Sequence, residues 1–173
     1  MKRLYLLRHA KTEQANKDTP ADVSRVLTET GRRDAPKVGC AMRVKAYFPD
    51  LILCSPSART RQTLQLANAE LRSPAPIEYV DAIYAAGANR LLALFRGLQN
   101  NVQAALVVGH NPGFEDCVAL LINPEEALDP TFAGEKFPTS ALLVLDFDIG
   151  AWKELAPHIG KVVDFIRPKD LPD

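Results

Sequence analysis

The sequence predicts an α/β protein whose mostly parallel sheet is covered by helices on both faces, and three observations predict it. Apolar runs at residues 4–7 (LYLL), 50–54 (DLILC) and 104–108 (AALVV) are short enough, and uniformly apolar enough, to be strands buried on both faces. Segments of helical periodicity separate them, and strands alternating with helices give a parallel sheet in a layered domain. Each run also stops at a polar cluster, and open sheets of this kind collect their ligands at the C-terminal strand ends.

The elements follow in order. The first strand ends in Arg8-His9 and is followed by a polar loop through about Ser24. Thr28 is the expected cap of a helix that extends to about Ala46, with Pro36 tolerated only in its first turn or two. After the strand at 50–54, Ser55-Pro56 ends the extended run. Residues 58–71 then carry Leu64, Ala67 and Leu71 on a helical period. Pro74 and Pro76 stop that helix, and residues 77–80 resume as a short strand. Residues 89–98 are amphipathic, with Leu91, Leu94, Phe95 and Leu98 on one face. The strand at 104–108 runs into Gly109-His110-Asn111-Pro112-Gly113, before a helix over 114–121. Residues 123–138, rich in proline, acid and small side chains, read as a surface loop with at most one helical turn. A further strand covers 141–147, residues 151–155 pair beside it across a turn at 148–150, and residues 161–167 have no assigned type.

At 173 residues and 47% apolar content the chain can bury one sizeable core, and a single domain over residues 1–173 is expected. The 21 basic and 21 acidic residues cancel, so no electrostatic footprint for nucleic acid or an anionic membrane is expected and any anion site must be local. Three cysteines, Cys40, Cys54 and Cys117, odd in number and without CxxC spacing, read as reduced thiols. Four apolar residues between Arg3 and Arg8 are too few for a signal peptide, and no apolar run is long enough to span a bilayer. A cytoplasmic location is the expectation.

The polar clusters carry the chemistry. Arg8 beside His9 pairs a cation with a potential nucleophile, which suggests an anionic substrate. In SPSARTRQT, Arg59 starts the second helix and shares a face with Thr63, whereas Arg61 points elsewhere and reads as a solvated charge. A guanidinium suits phosphate because its planar fork holds two oxygens at once. In LVVGHNPG, His110 sits in a glycine- and proline-bracketed turn before a helix, where free N–H groups favour an anion. His158 has no such context and is expected outside any site.

In that order, LRHA, SPSARTRQT and VGHNPG resemble the histidine phosphatase superfamily, in particular its small phosphohistidine phosphatase (SixA-like) branch. LTETGRRDA, DAIYAAG and DFIRPKDL are similar to that branch as well. Ala10 stands where glycine is usual in the wider superfamily. The resemblance implies a phosphoglycerate mutase-like fold, a three-layer α/β/α sandwich without a large cap domain. It further implies a nucleophilic His9 that is transiently phosphorylated, a phosphate pocket of Arg8, Arg59 and His110, and no metal or other cofactor. No HExxH or paired-carboxylate spacing supplies a metal site.

An imidazole attacks only through an unprotonated nitrogen, and nearby guanidiniums disfavour the imidazolium. The same cations stabilise charge during in-line transfer. Asp81, in DAIYAAG, resembles the family's acid, and a turn or cap residue is the other reading of it. Lys11, Thr12 and Asn111 are candidate substrate contacts. The expected substrate is a phosphorylated protein, through phosphohistidine, or a small phosphorylated molecule. A small-molecule phosphomonoesterase, a mutase-like phosphotransferase and a non-catalytic phosphate-binding module are the alternatives. Residues 11–23, 85–89 and 123–138 would set specificity.

Overall fold

The computed structural model describes residues 1–14, 22–125 and 137–172. Its centre is a six-stranded sheet of β1 (Lys2–Arg8), β2 (Leu51–Cys54), β3 (Ile77–Tyr79), β4 (Ala104–Gly109), β5 (Leu142–Phe147) and β6 (Lys161–Ile166). The spatial order is β3-β2-β4-β1-β5-β6. Helices α1 (Glu29–Val44) and α2 (Ala58–Leu71) cover one face, and α3 (Ala88–Arg96) and α4 (Gly113–Leu121) the other.

Strand β1 shows why its run is continuously apolar. Leu4 and Leu6 pack with Phe95, Phe114 and Trp152 on the α3/α4 side, and Tyr5 and Leu7 pack with Val38, Met42 and Leu64 on the α1/α2 side. Both faces are core, so polar alternation has nowhere to appear. Helix α1 starts as expected: the Gly31 N–H donates to the Thr28 hydroxyl at 3.2 Å. Pro36 lies about two turns inside α1, where it cannot donate to the Arg32 carbonyl.

The sheet is mostly parallel as expected, with an antiparallel edge, and two other expectations change. Strand β5 runs antiparallel to β1, and β6 antiparallel to β5, so the parallel part of the sheet is β3-β2-β4-β1. Residues 151–155 do not pair beside β5; Trp152–Glu154 form a 3₁₀ turn. Ala151, Trp152 and Leu155 are buried around that turn, and the Trp152 indole N–H donates to the Val102 carbonyl at 2.8 Å. The place beside β5 falls to β6, an edge strand with exposed Lys161 and Val163, whose half-solvated pattern explains its weak signal. Finally, residues 126–136 of the expected surface loop lie outside the described residues, but Phe137 at its end is buried. It meets Phe114 and Phe165 edge-on at 6.0 and 5.6 Å between ring centroids.

Among the described residues no helix is long and apolar enough to cross a membrane, and no cluster of His, Cys, Asp or Glu is placed to hold a metal ion.

Helices α1 and α2 approach so closely that a Cβ on Gly39 would collide with the Ala67 carbonyl oxygen. Gly39→Ala should therefore destabilise the protein by about 3 kcal/mol, since overpacking forces backbone to move. Urea unfolding checks this, and an unchanged midpoint would mean the helix pair yields freely.

Candidate active site

The sheet register builds the site. Arg8 pairs with Gly109, and Cys54 with Val108, so β1, β2 and β4 end at one level. Hydrogen bonding continues one residue past each strand: the His9 N–H donates to Gly109 O and the Ser55 N–H to Val108 O, both at 3.0 Å. Antiparallel β5 brings the segment before it to the same edge, where the Ser140 N–H donates to His9 O at 3.2 Å and the Arg8 N–H to Ala141 O at 3.1 Å. These ends surround a cavity of about 590 Å³ lined by Arg8, His9, Arg59 and His110, with Lys11, Thr12 and Asn111 also at its wall. All three polar clusters converge as expected.

His9 has one ring nitrogen within 2.8 Å of the Ala10 carbonyl, its Nδ1. A carbonyl only accepts, so Nδ1 carries the proton and Nε2 keeps a free lone pair. The ring's pKa is pushed down to about 4, first by burial and then by the Arg59, Arg8 and Arg25 cations. Burial thus outranks the guanidiniums, which alone carried the sequence argument. Ala10 is wholly buried with Leu27 and Ala35, so its methyl has a place where glycine is usual in the superfamily. Its N–H donates to the Thr63 hydroxyl at 2.9 Å, which fastens the segment to α2.

Arg8 donates through Nη1 to Phe137 O at 2.5 Å. Its Nε is buried without a partner, a cationic donor left over for an anion. Arg59 is more committed than its motif suggests. Its Nε donates to His110 Nδ1 at 3.3 Å, Nη1 to the Asp22 carbonyl at 2.7 Å and Nη2 to the Asp22 carboxylate at 3.0 Å. Three of five N–H donors are occupied and two remain for substrate.

Asp22 in turn accepts from the Tyr84 hydroxyl at 2.7 Å and from Arg25 at 3.0 Å. These bonds, Tyr84's foremost, hold its carboxyl down to about 2, fully ionised at neutral pH. His110 is pushed down to about 3, by burial first and then by Arg59 and His9. The His9 and His110 rings lie 5.4 Å apart.

Asp81 is not brought into the pocket. It is exposed in the 3₁₀ turn Asp81–Ile83, where its carbonyl accepts the Tyr84 N–H at 3.1 Å. The turn carries Tyr84 to the pocket wall instead. Asn111 donates its amide to Glu115 at 2.7 Å and to Phe137 O at 3.1 Å. Its remaining unpartnered atom is an acceptor oxygen, which suits no phosphate oxygen and makes Asn111 a scaffold of the wall. Thr12 accepts from Arg25 at 2.7 Å, and Lys11 stands exposed at the rim. Arg61 stacks over Tyr79 at 4.2 Å, and His158 lies by the Ile122 carbonyl; neither lines the pocket.

Sequence reading missed Asp22, Arg25 and Tyr84. The first two sit in a loop without periodicity, and the signal was the (i, i+3) pairing of opposite charges. Tyr84 lay inside a stretch already singled out for Asp81.

The family model for the histidine phosphatase superfamily (branch 1) matches residues 4–84. An uncharacterised protein from Mycobacterium tuberculosis is 33% identical over 166 residues, covering 94% of this chain and 100% of that one. A structure from Agrobacterium tumefaciens, assigned as the phosphohistidine phosphatase SixA, superposes with a TM-score of 0.78 at 32% identity, covering 96% of this chain and 98% of the other. A second protein so assigned, from Nakamurella multipartitia, gives 0.80 at 28% identity with 96% of both chains covered. The chain belongs to the histidine phosphatase superfamily, and within it to the SixA-like form. It is a phosphatase whose three-layer α/β/α fold, with no large cap domain among the described residues, is that of the phosphoglycerate mutase-like enzymes.

The displaced His9 pKa has a direct test. The ring is neutral above about pH 4, so protonation of Nε2 should set in only as pH falls through that value, not near 6.5 as for a free histidine. An NMR titration of the His9 ring protons should show that low midpoint. A midpoint near 6.5 would overturn the buried, cation-flanked description.

Proposed function

We propose that the protein hydrolyses phosphohistidine, carried on a protein, through a covalent phosphohistidine intermediate on His9. The observation that carries this reading is the state of the pocket's groups. A neutral imidazole with free Nε2 lies among arginines, while Asp22, the carboxylate bonded to those arginines, is ionised and occupied as an acceptor.

His9 Nε2 attacks phosphorus as the substrate's P–N bond breaks. Arg8 and Arg59 bind the equatorial oxygens and offset their charge. An ester would expel an alkoxide and benefit from a carboxylic acid near the scissile oxygen. An imidazole with a proton on its far nitrogen leaves as a neutral molecule. The bond made is then of the same kind as the bond broken, and little acid assistance is needed. Water next attacks the phosphorus of phospho-His9, releasing inorganic phosphate and restoring the imidazole. The relatives assigned as phosphohistidine phosphatases support the same substrate class. The free thiols of Cys40, Cys54 and Cys117 accord with a reducing compartment, and the cytoplasm is the proposed location.

Brief incubation with a phosphohistidine peptide should place acid-labile phosphate on His9, detected by mass spectrometry, with turnover at least tenfold faster than on para-nitrophenyl phosphate. His9→Ala should abolish both label and turnover. Asp116, a carboxylate exposed at the pocket rim, supplies the counter-test: ester turnover exceeding phosphohistidine turnover and lost in Asp116→Asn would assign an ester phosphatase with Asp116 as its acid.

A further inference from the structure

His110 has both ring nitrogens engaged, and the partners differ in kind. Its Nδ1 faces the Arg59 Nε–H at 3.3 Å, and its Nε2 lies 2.7 Å from the Ser55 hydroxyl. A guanidinium only donates, so Nδ1 must accept, and a neutral ring then carries its proton on Nε2 and gives it to Ser55 Oγ. Ser55 is wholly buried at the end of β2, and its hydroxyl oxygen makes no other hydrogen bond among the described residues.

We infer that Ser55 is a positioning residue for His110: its hydroxyl pins the Nε2 edge and presents Nδ1 toward Arg59 and the phosphate. The inference rests on the proposed phosphate pocket. Without phosphate the ring is neutral, because burial opposes a charge there and Arg59 from α2, Arg8 at the end of β1 and His9 just past it add to that opposition. Asp22 acts the other way. The Tyr84 ring stands perpendicular to that of His110, with 5.5 Å between the centroids. A phosphate dianion offsets Arg8 and Arg59. Nδ1 then takes one proton from solvent and donates it to a phosphate oxygen, the Arg59 Nε–H turns from Nδ1 to the phosphate, and Nε2–H stays on Ser55. No rotation of the ring is required, and one proton enters per phosphate bound.

Imidazole ¹⁵N spectra of histidine-labelled protein test this. Without phosphate, His110 should show a protonated Nε2 and a bare Nδ1. Saturating inorganic phosphate should shift Nδ1 into the protonated range and leave Nε2 where it was. Ser55→Ala removes one oxygen from a buried site. It should keep the tautomer that Arg59 sets, move the Nε2 resonance as that N–H loses its acceptor, and weaken phosphate binding about fivefold to tenfold, the scale of one lost hydrogen bond. An Nδ1-protonated His110 in the empty wild-type protein would overturn the inference even if Ser55→Ala fails to fold, as would an unchanged ring spectrum in a folded Ser55→Ala. The phosphate-free spectrum does not depend on turnover. Its failure is therefore distinguishable from failure of the phosphohistidine reading, which is decided by the label on His9.

Discussion

The parallel register of β1 against β4 and of β4 against β2 is the constraint on which the rest of the site depends. It sets Arg8 level with Gly109 and Cys54 level with Val108, so the next residues, His9, Ser55 and His110, leave the sheet at one edge. Close packing holds that register. A Cβ on Gly109 would strike the Phe114 ring and approach Ile83, so the end of β4 packs this closely on those side chains only without one of its own. Burial of β1 on both faces does the same from within. A slip by one residue would exchange the partners of Leu4 and Leu6 with those of Tyr5 and Leu7, between two cores of different shape.

The strand ends concentrate positive charge on a molecule with none in excess. Arg8, Lys11, Arg25 and Arg59 all line one cavity. Their mutual repulsion is offset by acceptors that are mostly backbone: the carbonyls of Phe137, Asp22 and Glu13, with the Asp22 carboxylate shared among Arg25, Arg59 and Tyr84. Backbone acceptors fix a guanidinium without neutralising it, and the unpartnered Arg8 Nε is what that arrangement leaves free. Charge is thus aimed before the substrate arrives, the condition under which electrostatic stabilisation needs no reorganisation. The histidines carry the opposite consequence. Buried beside these cations, both are far easier to keep neutral than to protonate.

Wherever the governing signal was local, the sequence was readable. Apolar runs buried on both faces, a Thr28 cap and the periodic helix over residues 58–71 all reappear in the structure, and so do the three polar clusters at the sheet edge. Longer-range relations were not readable. The choice of β6 over residues 151–155 as the partner of β5 was decided by where Trp152 could bury its indole. Asp81 and Tyr84 belong to one turn, and only the orientation of that turn against α4 and the pocket decides which side chain enters it. Asp22 acquires its role from Arg59, 37 residues away, and from Tyr84, 62 residues away. No pattern within the loop could announce those partners.

The two pocket histidines differ in one physical respect, which nitrogen is pinned. In His9 a backbone carbonyl takes the proton of Nδ1, so Nε2 is bare and nucleophilic. In His110 a buried hydroxyl takes the proton of Nε2, so Nδ1 is bare and faces a guanidinium. An imidazole held like His9 has a lone pair for phosphorus. One held like His110 has a lone pair that a cation already occupies and that becomes useful only after a proton has joined it. The same side chain, 5.4 Å from its twin, is therefore assigned to attack in one place and to hold oxygen in the other. A group of one fixed role beside each ring makes that assignment: the Ala10 carbonyl, which only accepts, for His9, and the Arg59 guanidinium, which only donates, for His110, with the Ser55 hydroxyl receiving the proton on the far nitrogen.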